Sequence, residues 1–273
     1  MVVNRQFPFN AQSPGYAPLQ RAPLVSVLAQ VRFPVQSAFV SDPDGLARRI
    51  SAELATTYPL FEEGHEVSMT ILPDGTLQQN PSTSRLWRLA SIDSTWRVSF
   101  GQGFLSLETT TAYQRRSDFS SRFSAAWEAF CKFARPAFIL RLGTRYINRL
   151  DDPRHLAILD KLIRPEVLGA LHSGNNLAEV TSGISEVVYD HTDRSSLHAR
   201  WGLLPQGAAI DPTQPPAPAR SWILDCDASR TWGPNEQLSE DLLSQVDGLA
   251  LHAYEFFRWA VTPEFISTFG GEQ

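Results

Sequence analysis

Residues 138–150 read Phe138-Ile-Leu-Arg-Leu-Gly-Thr-Arg-Tyr-Ile-Asn-Arg-Leu150. The stretch is rich in branched and aromatic residues, has no helical period, and is bounded by Arg135-Pro136 before it and Asp152-Pro153 after it. It reads as a strand. Successive strand side chains point to opposite faces, so Arg141, Arg145 and Arg149 fall on one face together with Ile139 and Ile147. Leu24 to Phe33 is a second run of this kind, stopped by Pro34. Each of the two strands leads into a helix start, Asp42-Pro43 or Asp152-Pro153, in which an N-cap carboxylate precedes a proline at the first helical position.

After Asp42, Leu46, Ile50 and Leu54 recur on one helical face, and the helix ends before Pro59. From His65 to Tyr113, β-prone runs are divided by turn chemistry at Pro73-Asp74-Gly75, Asp93-Ser94 and Gly101-Gln102-Gly103, which predicts an antiparallel meander. Phe119, Phe123, Trp127 and Phe130 return to the helical period. Beyond residue 150 the order repeats: helical turns, β-prone runs from Ala178 to Leu204, and a strand at Arg220 to Asp227. A last helix from Ser239 carries Leu242, Val246, Leu249, Ala253, Phe256 and Ala260 on its buried stripe.

The repeated order points to duplication. Sliding the chain by 113 residues sets Arg32 on Arg145, by 114 sets Trp87 on Trp201, and by 126 sets Trp96 on Trp222 and Phe130 on Phe256. The change of offset falls where the second half holds a proline-rich stretch, 205–219, with no counterpart in the first. The expected fold is α+β: two βαββ(β)α halves with antiparallel sheets in a pseudo-twofold arrangement. The expected organisation is an extended arm at 1–20, repeats at 21–135 and 136–273, and one globular unit with a cleft between the halves.

A net charge of −5 with pI near 5.7 gives no global field for a polyanion, so nucleic acid is not favoured as a partner. Nearly all cations are arginines, Lys132 and Lys161 being the only lysines. Two cysteines, Cys131 and Cys226, are too few for a thiolate metal site or a disulfide-stapled domain. No apolar run fits a signal peptide or a membrane span, which predicts a cytoplasmic protein without membrane contact.

The nucleotide-binding Gly-x-x-x-x-Gly-Lys, the Gly-x-Ser-x-Gly elbow and His-Glu-x-x-His are all missing. The strongest polar constellation is Arg141, Arg145 and Arg149, joined by Arg32 through the repeat. Guanidinium groups held on one strand face suit a carboxylate or phosphate, but they equally suit pairing with a carboxylate on a neighbouring strand. A second constellation, His191 and Asp193 with Asp225 and Asp227, offers oxygen and imidazole ligands for a divalent ion, although the first two also fit a hairpin tip. No cofactor follows from these residues.

Ala22-Pro-Leu-Val-Ser-Val-Leu-Ala-Gln-Val-Arg-Phe-Pro34 resembles the opening of a sporadically distributed, uncharacterised prokaryotic protein family. Trp87-Arg-Leu89, Trp96-Arg-Val98, Phe104-Leu-Ser-Leu107, Tyr113, Arg145-Tyr-Ile-Asn148, Leu251-His252 and Phe257 are similar to its later signatures, in order along nearly the whole chain. The resemblance carries over no activity, cofactor or catalytic residue, and the sporadic distribution implies a mobile or defence-linked setting. The sequence therefore leads to a non-catalytic binding or adaptor protein that engages a protein, nucleic-acid or anionic partner. A metal-dependent enzyme acting on phosphoesters and a self-associating structural protein are the alternatives.

Overall fold

The computed structural model of the chain describes residues 19–35, 37–71, 77–172, 180–191, 194–210, 214–233 and 242–271. In chain order the elements are β1 (Leu24–Arg32), α1 (Ser37–Ser41), α2 (Pro43–Leu54), β2 (Leu60–Ile71), β3 (Leu77–Ala90), β4 (Trp96–Gly101), β5 (Phe104–Thr109) and α3 (Arg116–Cys131). There follow β6 (Arg141–Leu150), the short helices α4 (Pro153–Leu156), α5 (Leu159–Leu162) and α6 (Pro165–Leu168), then β7 (Gly183–Asp190), β8 (Ser195–Leu204), β9 (Ser221–Thr231), α7 (Leu242–Ala260) and α8 (Pro263–Thr268). The nine strands form one sheet in the order β2-β3-β4-β5-β1-β6-β9-β8-β7, with every neighbouring pair antiparallel. The α+β class is thus observed, as a single large sheet.

The seam is β1 against β6, with Leu28 opposite Arg145 and Arg32 opposite Arg141. Outward from β1 stand β5, β4, β3 and β2; outward from β6 stand β9, β8 and β7. Matched by position and direction, β5 answers β9, β4 answers β8, and β3 answers β7. The tryptophans paired by sliding the sequence do not obey this match, since Trp87 lies on β3 and Trp201 on β8, Trp96 on β4 and Trp222 on β9. The helices that follow β5 and β9 do: α3 and α7 pack together, and Ser120 donates to the Asp247 carboxylate at 2.7 Å.

One sheet face is apolar and carries the helices. Val27, Ala29, Val98, Phe100, Leu107, Leu224 and Ala228 are buried there against Phe119, Phe123, Phe130 and Phe256. Leu242, Val246, Leu249, Ala253, Phe256 and Ala260 all lie inside, as the helical period predicts, and Phe130 and Phe256 belong to the core. Ile139 precedes β6 and enters this same core, so it does not share the face of Arg141 as expected. Trp201 reaches past the core to α6, and its Nε1 donates to the Val167 carbonyl at 2.6 Å in a buried hydrogen bond. Trp201→Phe keeps the ring packing but orphans that carbonyl, and a loss of about 1–3 kcal/mol is expected from urea unfolding.

Local rules explain the joints. Asp93 accepts from Ser91 Oγ and from the Thr95 amide and hydroxyl, and this closes the β3–β4 turn with Ser94 at φ 58°. The Asp42 carboxylate caps α2 by accepting from the Gly45 amide at 2.9 Å. Asp152 does the same for the amide of Arg154 at 2.8 Å, and the Arg154 guanidinium lies 2.6 Å from its other oxygen. These bonds hold the Asp152 carboxyl down to about 2, against an ordinary 3.8. Because the folded value is depressed, the capping contribution is fully present above 3.8 and is lost as pH falls through about 2. A carboxyl-carbon NMR titration of Asp152 with its midpoint near the lower value is the expected result.

Several expectations concern residues outside those described: the Pro73-Asp74-Gly75 turn, Ser239 at the start of the last helix, and all but Leu19 and Gln20 of the arm at 1–20. No described helix is long and apolar enough to cross a membrane.

A candidate binding face on the sheet

The second sheet face is polar. Alternation along each strand brings Glu62, Arg88, Arg97, Glu108 and Arg32 onto it from the first half of the sheet. Arg141, Arg145, Arg149, Asp225, Asp227, Arg200, His198, Glu186 and Asp190 come from the second. No described helix packs on this face. Antiparallel sheets tolerate one solvated side, and cross-strand charge pairs stabilise it.

Near the seam the pairing is tight. Arg145 donates from Nε and a terminal nitrogen to the two oxygens of Asp225, both at 2.8 Å, and Arg200 donates to Asp225 Oδ2 at 2.7 Å. The Asp225 side chain is 1% exposed, against 12% for Arg145 and 18% for Arg200. One carboxylate thus sits between two fixed guanidinium groups in a site largely closed to water. The closure comes from the proline-rich loop after β8. Its Ala208 and Ile210 pack on Ile147, Leu204 and Ile223, and the Ile210 carbonyl accepts from Arg200 at 3.4 Å. Two backbone hydrogen bonds, Gly207 to Ala217 and Ala217 to Ala208, pin the loop.

The four arginines singled out from sequence stand in different circumstances. Arg141 reaches Asp227 at 3.3 Å in a half-buried ion pair. Arg145 belongs to the Asp225 triad. Arg149 is 8% exposed, and its Nε makes no hydrogen bond. Burial pulls its pKa below the usual arginine value, with the Asp151 charge opposing. Arg32 is exposed at the open side of the seam, where Nε donates to Gln30 at 2.9 Å and the guanidinium lies over the Phe104 ring.

The acidic constellation is dispersed across the two faces. Asp225 and Asp227 point to the polar face and are held by arginines. His191 lies beyond the end of β7 and stacks on His252 of α7, with ring centroids 4.8 Å apart. Asp193 lies outside the described residues, and among those described no three His, Cys, Asp or Glu side chains cluster as a metal site.

Arg200 was missed by the sequence reading, although a signal existed. In Leu197-His198-Ala199-Arg200-Trp201 the apolar residues alternate with His198 and Arg200, which places both on the face of Asp225 and Asp227 once β8 is paired with β9. What the sequence lacks is the partner strand. On the helix side, near the β1–β6 seam, an open-mouthed pocket lies beneath α7. No family model matches the chain, and no curated protein matches it in sequence.

Proposed function

We propose that this protein is a non-catalytic binding or adaptor module that engages a negatively charged macromolecular partner on the open polar face of its sheet. The observation that carries this reading is the charge on that face: seven arginines (Arg32, Arg88, Arg97, Arg141, Arg145, Arg149, Arg200) stand against six carboxylates (Glu62, Glu108, Glu186, Asp190, Asp225, Asp227) in a chain whose net charge is −5. A local surplus of guanidinium groups on an acidic protein suits a protein partner with an acidic surface better than it suits nucleic acid, which calls for a longer basic track. Arg32 and Arg97, both exposed, mark the accessible part of the face; Arg145 and Arg200 hold its closed part.

A duplication accounts for the architecture. Its unit is a strand, helical turns, three strands and a long helix, with β2 as an added edge in the first half. Strand order and direction about the β1–β6 seam support it, as does the contact of α3 with α7.

The test is recovery of the tagged protein from its native cells at low salt, followed by mass spectrometry. A stoichiometric companion is expected with the natural chain and is expected to be lost with the double variant Arg32→Glu/Arg97→Glu, whose exposed positions leave the core untouched. Recovery alone, or a companion retained by the variant, overturns the reading.

A further inference from the structure

We propose that the pocket beneath α7 binds a small, neutral, planar heteroaromatic molecule whose edge presents a hydrogen-bond donor beside an acceptor, the pattern of a nucleobase or nucleoside, and that Asn148 reads that edge. The pocket lies on the helix side of the seam, opposite the polar face. Its floor is Tyr146 and Asn148 on β6 with Cys226 on β9, and its roof is Ala253, Tyr254 and Phe257 on α7. The space exists because small side chains meet there: Cys226 stands opposite Tyr146 in the strand register, and α7 presents Ala250 and Ala253 above them.

Asn148 is the feature that turns a packing gap into a site. It is 5% exposed and lines the pocket, yet its side-chain amide has no hydrogen-bond partner among the described residues. Its amide opens into the pocket, where two donors and an acceptor face any guest. Asparagine in this position offers a donor and an acceptor side by side, complementary to a base edge carrying the same pair in reverse. The walls suit a flat ring: Tyr113 and Tyr146 meet edge to face at 5.8 Å and 84°, and Tyr254 and Phe257 add two further aromatic surfaces.

The electrostatics select a neutral guest. Arg116, the charged lining residue, is one-third exposed and faces Asp247 at 3.6 Å, so its charge is balanced. Burial, with the Asp225 and Asp227 charges adding, pushes the Cys226 thiol up, which leaves it a neutral wall.

Calorimetry and thermal shift of the full chain with adenosine, guanosine, cytidine and uridine test the proposal, with indole as a flat control that lacks the paired edge. At least one nucleoside is expected to bind and to raise Tm, and indole is not. Asn148→Leu, close in volume and unable to hydrogen-bond, is expected to weaken that nucleoside about tenfold or more, since a site built for a polar edge loses affinity when one side of the pair is removed. Ala253→Met, which fills the pocket from α7, is expected to abolish binding and serves if the first variant does not fold. Failure of all four nucleosides, equal binding of indole, undiminished binding to a folded Asn148→Leu, or undiminished binding to Ala253→Met overturns it. The partner test uses the opposite face, so either proposal can fail while the other stands.

Discussion

Asp225→Ala is expected to lower the free energy of unfolding by about 3–5 kcal/mol, the range found when one member of a buried ion pair is removed. The cause is what remains: Arg145 and Arg200, 12% and 18% exposed, face each other with no carboxylate between them. Water cannot readily replace the lost oxygens, because the Ala208–Ile210 segment lies over the site. A triple variant, Asp225→Ala/Arg145→Met/Arg200→Met, separates the burial of charge from the loss of shape. Methionine stems fill part of the volume without charge, so the triple variant is expected to regain most of the deficit, and chemical denaturation of all three proteins measures it. A triple variant no more stable than Asp225→Ala would mean that the network acts through geometry rather than through charge.

Gly202→Ala is the second large effect. Gly202 has φ +146° on β8, and a methyl group there would lie 1.8 Å from the Gly183 carbonyl oxygen on β7. A backbone atom cannot rotate aside as a side chain does, so the strands must separate. Strain and overpacking together are expected to cost about 2–4 kcal/mol. The loss should be local: hydrogen exchange is expected to accelerate in β7, Gly183–Asp190, while β6 and β9 keep their protection. Uniform acceleration would show that β7 is integral to the sheet's cooperative unit.

Most of the elements were legible because their signals are local. The Asp42-Pro43 and Asp152-Pro153 starts, the alternation of Trp96, Val98 and Phe100 with Arg97 and Ser99, and the stripe from Leu242 to Ala260 depend on neighbours a few residues away, and all appear where expected. The errors arose where distant strands decide. A short helix, α1, precedes the Asp42 start and was not expected, and the meander begins at Leu60 rather than His65. Sliding the chain on itself matched tryptophans by chemical kind, but equivalence in a sheet is set by pairing and direction, and those put Trp87 and Trp201 on strands of different rank from the seam.

The arginine site was legible in part for the same reason. Even spacing correctly put Arg141, Arg145 and Arg149 on one side of β6, and partners on a neighbouring strand were among the readings the spacing allowed. Only the register of β6 with β9, Arg145 opposite Asp227 and Ile147 opposite Asp225, brings the carboxylates of Asp225 and Asp227 to them. Asn148 stands out even less, because a lone asparagine in an apolar strand acquires meaning only when α7 closes over it.

The seam also fixes a sequence of events in time. Every strand pairing except β1 with β6 joins segments that lie in one continuous run of the chain, residues 24–109 on one side and 141–231 on the other. During synthesis the first block has all its own pairings available before Arg141 leaves the ribosome, and until then β1 presents a bare edge at the middle of what will become the sheet. Closure waits for β6 and for α7 to come over α3, so the newborn half carries an exposed strand edge that the finished protein hides.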